Sequence, residues 1–147
     1  MSFKIVGIGE VLWDLLPGGR QLGGAPANFT YHATALGADT RLVSRVGRDE
    51  LGRETLERLG KLGVSTECVE VDEQLPTGSV GVTISAGGQP HYEIFENVAW
   101  DAIRGEPAAR RAVAAADAVC FGSLAQRSAT SRAAIQALVG AAPGPAL

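Results

Sequence analysis

The 147-residue sequence predicts an α/β protein: a parallel β-sheet flanked by helices in Rossmann-like layers, with a small β-sheet lid. Strand and helix patterns alternate along the chain, which is typical of parallel strands joined by crossover helices. The first strand, 3–9, is a continuous apolar run, as expected of a strand buried on both faces. Two stretches, 11–22 and 77–98, instead alternate apolar and polar residues and predict the lid as an inserted antiparallel flap.

The first two helices are predicted from residues with known preferences for helix ends. One runs from Pro26 to Leu36, because proline favours the first helical position and Gly37 suits a left-handed C-terminal cap. The next begins after Asp49 as N-cap and closes at Gly63. Further helices are predicted at 105–117 and 128–140, and further strands at 39–47, 65–72 and 117–123.

Composition argues against several classes of partner. The formal charge of -3 shows no basic footprint, so nucleic acid is not expected as the main partner. No stretch approaches the ~20 apolar residues that cross a bilayer. Glu10 and Asp14 interrupt the apolar N-terminus and no cleavage site follows, so no signal peptide is predicted. We therefore expect a cytoplasmic protein that does not bind membranes.

Cysteine and histidine spacing gives no sign of a metal site. Cys68 and Cys120 lie in apolar, strand-like runs and are predicted to be reduced and buried, with a disulfide as the less favoured alternative. His32 and His91 have no metal-ligand spacing with these cysteines, so no zinc site is expected.

A glycine-rich corner precedes the first helix and is the candidate ligand site. With no side chain at Gly23 or Gly24, a ligand can approach the free N–H groups beside Pro26. Asn28, in the first helical turn, offers both donors and an acceptor, and Asp14 offers a carboxylate for hydroxyl protons. From the residues alone, two interpretations are equally open. Either the residues form a sugar site, or they are purely structural: the glycines would then make a turn, Asn28 would satisfy the helix terminus and Asp14 would be a solvated carboxylate.

A nicotinamide-dinucleotide site is an alternative interpretation of "GIGE", 7–10. Leu12 stands where the third glycine of the dinucleotide fingerprint belongs, so this pattern is weak. The sequence also has no Walker-type phosphate loop.

The run "GGAPANFTYHATALGADTRLVSRVG", 23–47, resembles the N-terminal signature of the ribokinase-like (PfkB) carbohydrate kinases. "VGRDELGRETLERLGKLGV" continues the resemblance with G-x-D-x-x-G and L-x-x-x-G-V spacings. "GEVLWDLLP" and "FGSL" are similar to the fructokinase branch. The resemblance implies that residues 1–147 are the N-terminal portion of a single ribokinase-like domain, incomplete at its C-terminus.

The resemblance also implies which residues meet the sugar between the α/β domain and the lid. Asp14, Gly24 and Asn28 would hold sugar hydroxyls, with Gly23 beside them. Phe95 and Asn97 on the returning lid strand, and Gln126 after "FGSL", are further candidates, whereas Trp100 is expected to pack. No residue of this chain is expected to bind a metal.

The expected reaction is ATP-dependent phosphorylation of a sugar hydroxyl, with Mg²⁺. In the family, ATP binding and catalysis use a D-x-N-x-R strand and a Gly-Ala-Gly-Asp helix start, where N–H groups hold developing charge. This sequence contains no Gly-Ala-Gly-Asp. The chain by itself is therefore expected to carry the acceptor site, with no catalytic or cofactor-binding residue, and to be inactive.

Two further questions stay open at this level. A ketohexose such as fructose is the favoured sugar, and a keto-deoxy sugar acid is the alternative, for which Arg104 or Arg127 could bind the carboxylate. The alternative to an enzyme is a non-catalytic sugar-binding module that forms a homodimer through the lid.

Overall fold

A computed structural model of the protein describes residues 2–147. This part of the chain forms two four-stranded sheets, four α-helices and two 3₁₀ helices. The strands are β1 (Lys4–Ile8), β2 (Leu12–Leu16), β3 (Gly19–Gly23), β4 (Asp39–Gly47), β5 (Val69–Asp72), β6 (Ser79–Ile84), β7 (Pro90–Ile94) and β8 (Ala118–Phe121). The α-helices are α1 (Ala25–Ala35), α2 (Glu50–Lys61), α3 (Pro107–Ala114) and α4 (Ala129–Gly140), and the 3₁₀ helices are Ala99–Ala102 and Leu124–Arg127.

The main sheet has the order β5-β4-β1-β8 and all of its pairs are parallel, as predicted. Beyond β8, Ala146 makes an isolated parallel bridge to Val119, so the last residues run beside the edge of this sheet. The N–H of Leu147 donates to the carbonyl of Val119 at 3.0 Å.

Helices cover both faces of the main sheet, which confirms the predicted layers. Successive strand residues point to opposite faces, so neighbours on β4 contribute to two different cores. Val43 joins Val6 and Ile8 in a core packed by α3 and α4, whereas Leu42 and Val46 pack with α1 and α2. The central strands β1 and β4 are therefore buried on both sides.

The helix ends follow the predicted local signals. The Asp49 side chain accepts from the N–H of Gly52 at 2.7 Å and so caps α2, and Gly37 after α1 has a φ of 94°. Helix α1 begins at Ala25, one residue before the predicted start. The strand predicted at 65–72 is shorter, because Ser65 makes only an isolated bridge to Arg41 before β5 begins. The two 3₁₀ helices were not predicted.

The lid sheet has the order β3-β2-β6-β7 and corrects one expectation. The β2–β3 and β6–β7 pairs are antiparallel hairpins, but β2 and β6 pair in parallel, so the sheet is mixed rather than an antiparallel flap. The two strands pair in parallel because both start from the same edge of the main sheet. Strand β2 follows β1, and β6 follows β5, and both leave the carboxyl edge of one parallel sheet.

Two contacts fix the root of the lid to the body. Trp13 on β2 is fully buried, and its indole N–H donates to Thr55 of α2 at 2.9 Å. Thr77, just before β6, donates from its hydroxyl to Asp49 at 2.6 Å and accepts from the N–H of Gly47 at 2.9 Å. The start of each central lid strand is thus held by the main domain.

Candidate functional site

The candidate site lies at the carboxyl end of β1, the strand on whose two sides the chain adds the other strands of the main sheet. From β1 the chain continues to β4 and β5 on one side and returns to β8 on the other. In open α/β sheets, ligands bind outside the carboxyl ends of the strands at such a switch point. The N–H of Gly122 donates to the carbonyl of Ile8 at 3.0 Å, so the ends of β8 and β1 meet there.

The predicted glycine corner lies at this edge. Gly24 is the N-cap of α1 and has a φ of 104°, a conformation that strongly favours glycine. A Cβ at Gly24 would lie 2.6 Å from the carbonyl oxygen of Glu10. The N–H of Asn28 donates to the carbonyl of Gly24 at 2.9 Å. The corner is therefore the close contact between the end of β1 and the start of α1.

Asp14 lies beside the corner. It is half-buried on β2, opposite Gln21 of β3 and Val80 of β6. One oxygen of its carboxylate would lie 2.9 Å from a Cβ placed on Gly23. The structure thus brings Asp14, Gly23 and Gly24 together, with Asn28 one helical turn further on.

The lid face that carries Asp14 looks toward the body. Leu12, two residues before Asp14 on the same face, packs with Val80, Val82 and Leu124. Leu124 begins the 3₁₀ helix that follows β8. Near its root, the lid face that carries Asp14 therefore packs against the segment after β8.

The other predicted residues lie on separate segments near this edge of the sheet and differ in exposure. Asn28 is exposed, and Gln126 is half-buried with its side-chain amide donating to the carbonyl of Gly122 at 3.2 Å. The ring of Phe95 lies 3.5 Å from the Cβ position of Gly81, which pairs with the neighbour of Asp14. Because adjacent residues alternate, Phe95 packs on the lid face opposite Asp14.

Asn97 lines a separate cavity at the returning end of the lid. It has a φ of 56° and borders a space of about 320 Å³ with Glu96, Asp101, Arg127 and Ser128. This cavity lies next to the segment after β8 because Arg127 ends that 3₁₀ helix.

Arg127 ties the lid return to the body. Its guanidinium donates to Asp101 at 2.8 and 2.9 Å and to the carbonyl of Phe95 at 2.6 Å. It also lies 4.0 Å from the ring centroid of Trp100, which is fully buried, so the expectation that Trp100 packs is confirmed. Of the two arginines considered for a sugar acid, Arg127 is thus already paired, and Arg104 is exposed.

Sequence reasoning missed Glu10, the most buried carboxylate at this edge. It is 3% exposed at the end of β1, and one of its oxygens has no hydrogen-bond donor within residues 2–147. Burial raises the pKa of Glu10, while the N–H groups of Glu10, Ala25 and Ala125 and the charge of Arg127 oppose that rise. The sequence did show a carboxylate within an apolar run at Glu10, but we used it only as an argument against a signal peptide.

The glycines of "GIGE" have a packing role in this fold. A Cβ on Gly7 would lie 2.0 Å from the Thr30 hydroxyl, and one on Gly9 would lie 2.7 Å from the Pro26 ring. Both glycines therefore let α1 approach β1 closely, which accounts for their presence without a dinucleotide.

Residues 2–147 contain neither a metal-binding cluster nor a membrane-spanning helix. In that range no three His, Cys, Asp or Glu side chains are grouped so that they could hold a metal ion. No helix there combines the length and apolar character that a membrane span requires. Cys68 and Cys120 are both free, the former buried and the latter half-buried.

The model of the pfkB family of carbohydrate kinases matches residues 18–141. The chain belongs to this family. The family predicted from the sequence is thereby confirmed. The matched range includes every strand of the main sheet except β1 and every strand of the lid except β2.

Curated relatives are named as sugar kinases. An uncharacterized sugar kinase from Pyrococcus horikoshii is 34% identical over 107 residues, which cover 65% of this chain and 34% of the relative. Fructokinase-2 from Oryza sativa subsp. japonica is 31% identical over 109 residues, 66% of this chain and 32% of the relative. A 2-dehydro-3-deoxygluconokinase from Thermoproteus tenax is 44% identical over 59 residues, 40% of this chain and 18% of the relative.

Solved structures confirm the ribokinase-like fold. The Pyrococcus horikoshii kinase superposes with a TM-score of 0.84 at 30% identity, covering 92% of this chain and 48% of that one. A fructokinase from Xylella fastidiosa with bound ATP gives 0.86 at 20% identity, covering 99% and 51%. The chain thus spans about half the length of these solved relatives.

Proposed function

We propose that this chain carries the acceptor-sugar site of an ATP-dependent carbohydrate kinase, which phosphorylates a sugar hydroxyl. The observation that carries the proposal is the carboxylate of Asp14 against Gly23, beside the N-terminus of α1 and on the lid face that looks toward the body. Family membership supports the reaction class. The cytoplasm is the proposed compartment, in keeping with two free cysteines.

The proposed roles follow from hydrogen-bonding chemistry. The Asp14 carboxylate accepts hydrogen bonds from sugar hydroxyls, and charge-assisted hydrogen bonds of this kind are about twice as strong as neutral ones. Gly23 and Gly24 let the sugar reach the backbone, and the exposed Asn28 amide both donates and accepts. Gln126 and Asn97 are proposed contacts from the segment after β8 and from the lid return.

The contact proposed for Phe95 has weaker geometric support. Its ring packs near Gly81 on the lid face away from Asp14, and its carbonyl is held by Arg127. The role of Phe95 stays a prediction.

The proposal divides the reaction between this chain and the rest of the kinase. Phosphoryl transfer depends on positioning and on groups that stabilise the developing charge, and one such donor is worth ~100- to 1000-fold in rate. The resemblance assigns those groups to a Gly-Ala-Gly-Asp helix start that is absent from these 147 residues. ATP and Mg²⁺ are therefore proposed for the kinase as a whole, and neither is assigned to a residue described here. Solved relatives with bound ATP support the nucleotide.

A neutral ketohexose is the proposed sugar. The fructokinases among the relatives support this class, and the 2-dehydro-3-deoxygluconokinase from Thermoproteus tenax supports the sugar-acid alternative. A carboxylate substrate calls for a free arginine near the sugar. Arg127 is already paired with Asp101, and the exposed Arg104 borders a different cavity, beside α3 and α4. Binding of fructose and of 2-keto-3-deoxygluconate, measured side by side, distinguishes the two.

Calorimetry with fructose tests the acceptor site directly. We expect the wild-type chain to bind fructose and Asp14→Asn to weaken binding about tenfold or more, since a hydrogen bond to a charged group contributes about 1.5–3 kcal/mol. Asp39→Asn is the matched control at the opposite edge of the main sheet and should stay within about twofold, because a surface ion pair contributes little. Equal loss in the two variants, or no binding at all, would contradict the proposal.

Turnover by the isolated chain tests the division of labour. We expect no phosphorylation above buffer when this chain is incubated with ATP, Mg²⁺ and fructose. Clear turnover would show that catalysis needs no more than these residues.

A sugar-binding module that dimerises through the lid is the second candidate. Its support is the apolar surface at the lid tip, where Ile84 is 62% exposed and Tyr92 is 60% exposed. We expect the solution mass of such a dimer to fall to that of the monomer in an Ile84→Ser, Tyr92→Ser double variant. An unchanged mass in that variant would contradict lid-mediated pairing.

A further inference from the structure

Glu10 has a position that its surroundings explain only in part. It follows β1 at the switch point and is almost completely buried, yet one carboxylate oxygen, Oε2, finds no donor among residues 2–147. A buried carboxylate costs free energy unless other groups compensate it. Such a group beside the glycine corner calls for a role.

Three segments of the chain meet at Glu10. The N–H groups of Ala25, at the first residue of α1, and of Ala125, in the 3₁₀ helix after β8, both lower the pKa of Glu10 against the larger effect of its burial. A Cβ on Gly122 would lie 3.0 Å from Oε2, and a Cβ on Gly24 would lie 2.6 Å from the Glu10 carbonyl. Because neither position carries a side chain, Glu10 fits between these two backbone segments.

The first turn of α1 needs an acceptor from elsewhere in the chain. Its N-cap residue is Gly24, which has no side chain to accept from the unpaired N–H groups. An anion is favourable at a helix N-terminus because those N–H groups carry partial positive charge. Glu10 is the buried carboxylate beside this turn, with its carbonyl against Gly24 and its Oε2 against Gly122 of the segment after β8.

We propose that Glu10 is a positioning residue that joins the glycine corner to the segment after β8 and thereby sets the spacing between these two segments. The glycine corner carries Gly24 and Asn28, and the segment after β8 carries Gln126. The inference rests on the proposed function in so far as the ligand held by these residues is a sugar. The link between the two segments rests on the burial of Glu10 and on its closeness to Gly24 and Gly122.

The amide signals of the two segments test the link without any substitution. The pKa of Glu10 is raised above 4.5, and Arg127, itself paired with Asp101, is the charged side chain that acts on it. We expect the amide proton shifts of Ala25 and Ala125 in the wild-type chain to titrate with one shared midpoint above that value. Two unrelated midpoints, or no titration of either amide, would overturn the link.

Fructose affinity tests the positioning role. Glu10→Gln removes the charge with little change in shape, and we expect it to weaken fructose binding about tenfold, in line with the loss of one charge-assisted hydrogen bond. It should also abolish the shared titration. A Glu10→Gln variant that binds fructose within about twofold of wild type would overturn the role.

Glu70→Gln is the matched control because Glu70 is also a buried glutamate at a helix start. It is 5% exposed and accepts from the N–H of Gly105 at 2.9 Å, before α3 and on another face of the sheet. We expect this variant to lose stability but to keep its fructose affinity at a temperature where it is folded. If both variants lose affinity alike, a general loss of order explains the effect and the inference fails.

The two experiments separate this inference from the proposed function. A wild-type chain that binds no fructose contradicts the proposed function, and the amide titration then decides whether Glu10 joins the two segments. A wild-type chain that binds fructose, with Glu10→Gln unaffected, contradicts the positioning role alone.

Discussion

The main sheet and the lid sheet have four strands each, but the strands of the main sheet are more deeply buried than those of the lid. Ile8 and Leu42 in the centre of the main sheet are fully buried, whereas all five residues of β7 in the lid are exposed. The main sheet is covered by helices on both faces, so its strands are stabilised within this chain. The lid keeps apolar side chains at its surface that a ligand or a second chain can cover.

Burial also changes along the lid itself. On one face of β6, Val80 and Val82 are 5% and 7% exposed near the root, and Ile84 at the tip is 62% exposed. The root is held by Trp13, Thr77 and Arg127. The lid therefore has a buried, hydrogen-bonded root and a solvated tip, and substitutions in the body, the root and the tip should differ in their cost to stability.

Removal of Arg45 should have the largest effect on stability. Arg45 is 7% exposed and donates to Glu70 at 2.6 Å and to Asp72 at 2.7 Å, which joins β4 to β5. We expect Arg45→Met to cost about 3–5 kcal/mol, because it leaves buried carboxylates unpaired. Urea denaturation measures the loss. Arg41→Met, which breaks a partly exposed pair on the same strand, is the control and should cost at most about 1 kcal/mol.

Truncation of one aliphatic side chain in each sheet compares the two regions directly. We expect Leu42→Ala in the main sheet to cost about 2–5 kcal/mol, since it leaves a cavity in a closed core. Ile84→Ala at the lid tip should change stability by no more than about 0.5 kcal/mol, because the side chain is mostly solvated. Similar losses in both variants would show that the lid tip is covered in solution.

Asp49 links the two regions, so its removal should have an intermediate effect. It caps α2 through Gly52 and binds both the N–H and the hydroxyl of Thr77 at the lid root. We expect Asp49→Ala to cost about 0.5–2 kcal/mol, the usual range for a lost N-cap. Hydrogen exchange should in addition rise in β6 and β7 and stay unchanged in β1. Unchanged exchange in the lid would separate the cap from the lid root.

The last expected effect is confined to acidic pH and comes from Asp72. Burial alone would raise the pKa of Asp72, but the N–H groups of Leu75 and Gln74 and the Arg45 guanidinium outweigh it and lower the pKa from 3.8 to about 2. A carboxyl with a lowered pKa contributes stability above its unfolded value, and that stability is lost as the pH falls from about 4 toward 2. The difference in unfolding free energy between wild type and Asp72→Asn should therefore shrink over this range. A constant difference across it would contradict the assignment.

Local patterns were enough to predict much of the body. Asp49 caps a helix three residues away, and Gly37 ends one, so both act within a single turn of chain. The apolar run at β1 predicted a buried strand because burial on both faces requires apolar residues throughout. These features depend on neighbours in the sequence.

The pairing of β2 with β6 and the face on which Phe95 lies could not be predicted in the same way. Alternation predicts two hairpins, but it contains no information on which of their strands pair across 60 or so residues of intervening chain. Glu10 looked like a break in an apolar run, and its burial becomes visible only once α1 and the segment after β8 are packed against β1.

The sequence alone determined the family, the layered α/β body and the residues of the glycine corner, because these depend on local periodicity and on motifs of fixed spacing. Tertiary structure decided that Asp14 lies against Gly23, how the lid strands pair and that Glu10 is buried beside Gly24 and Gly122. Those features arise from contacts between distant segments, whose free energy depends on burial and geometry that no single stretch of the chain contains.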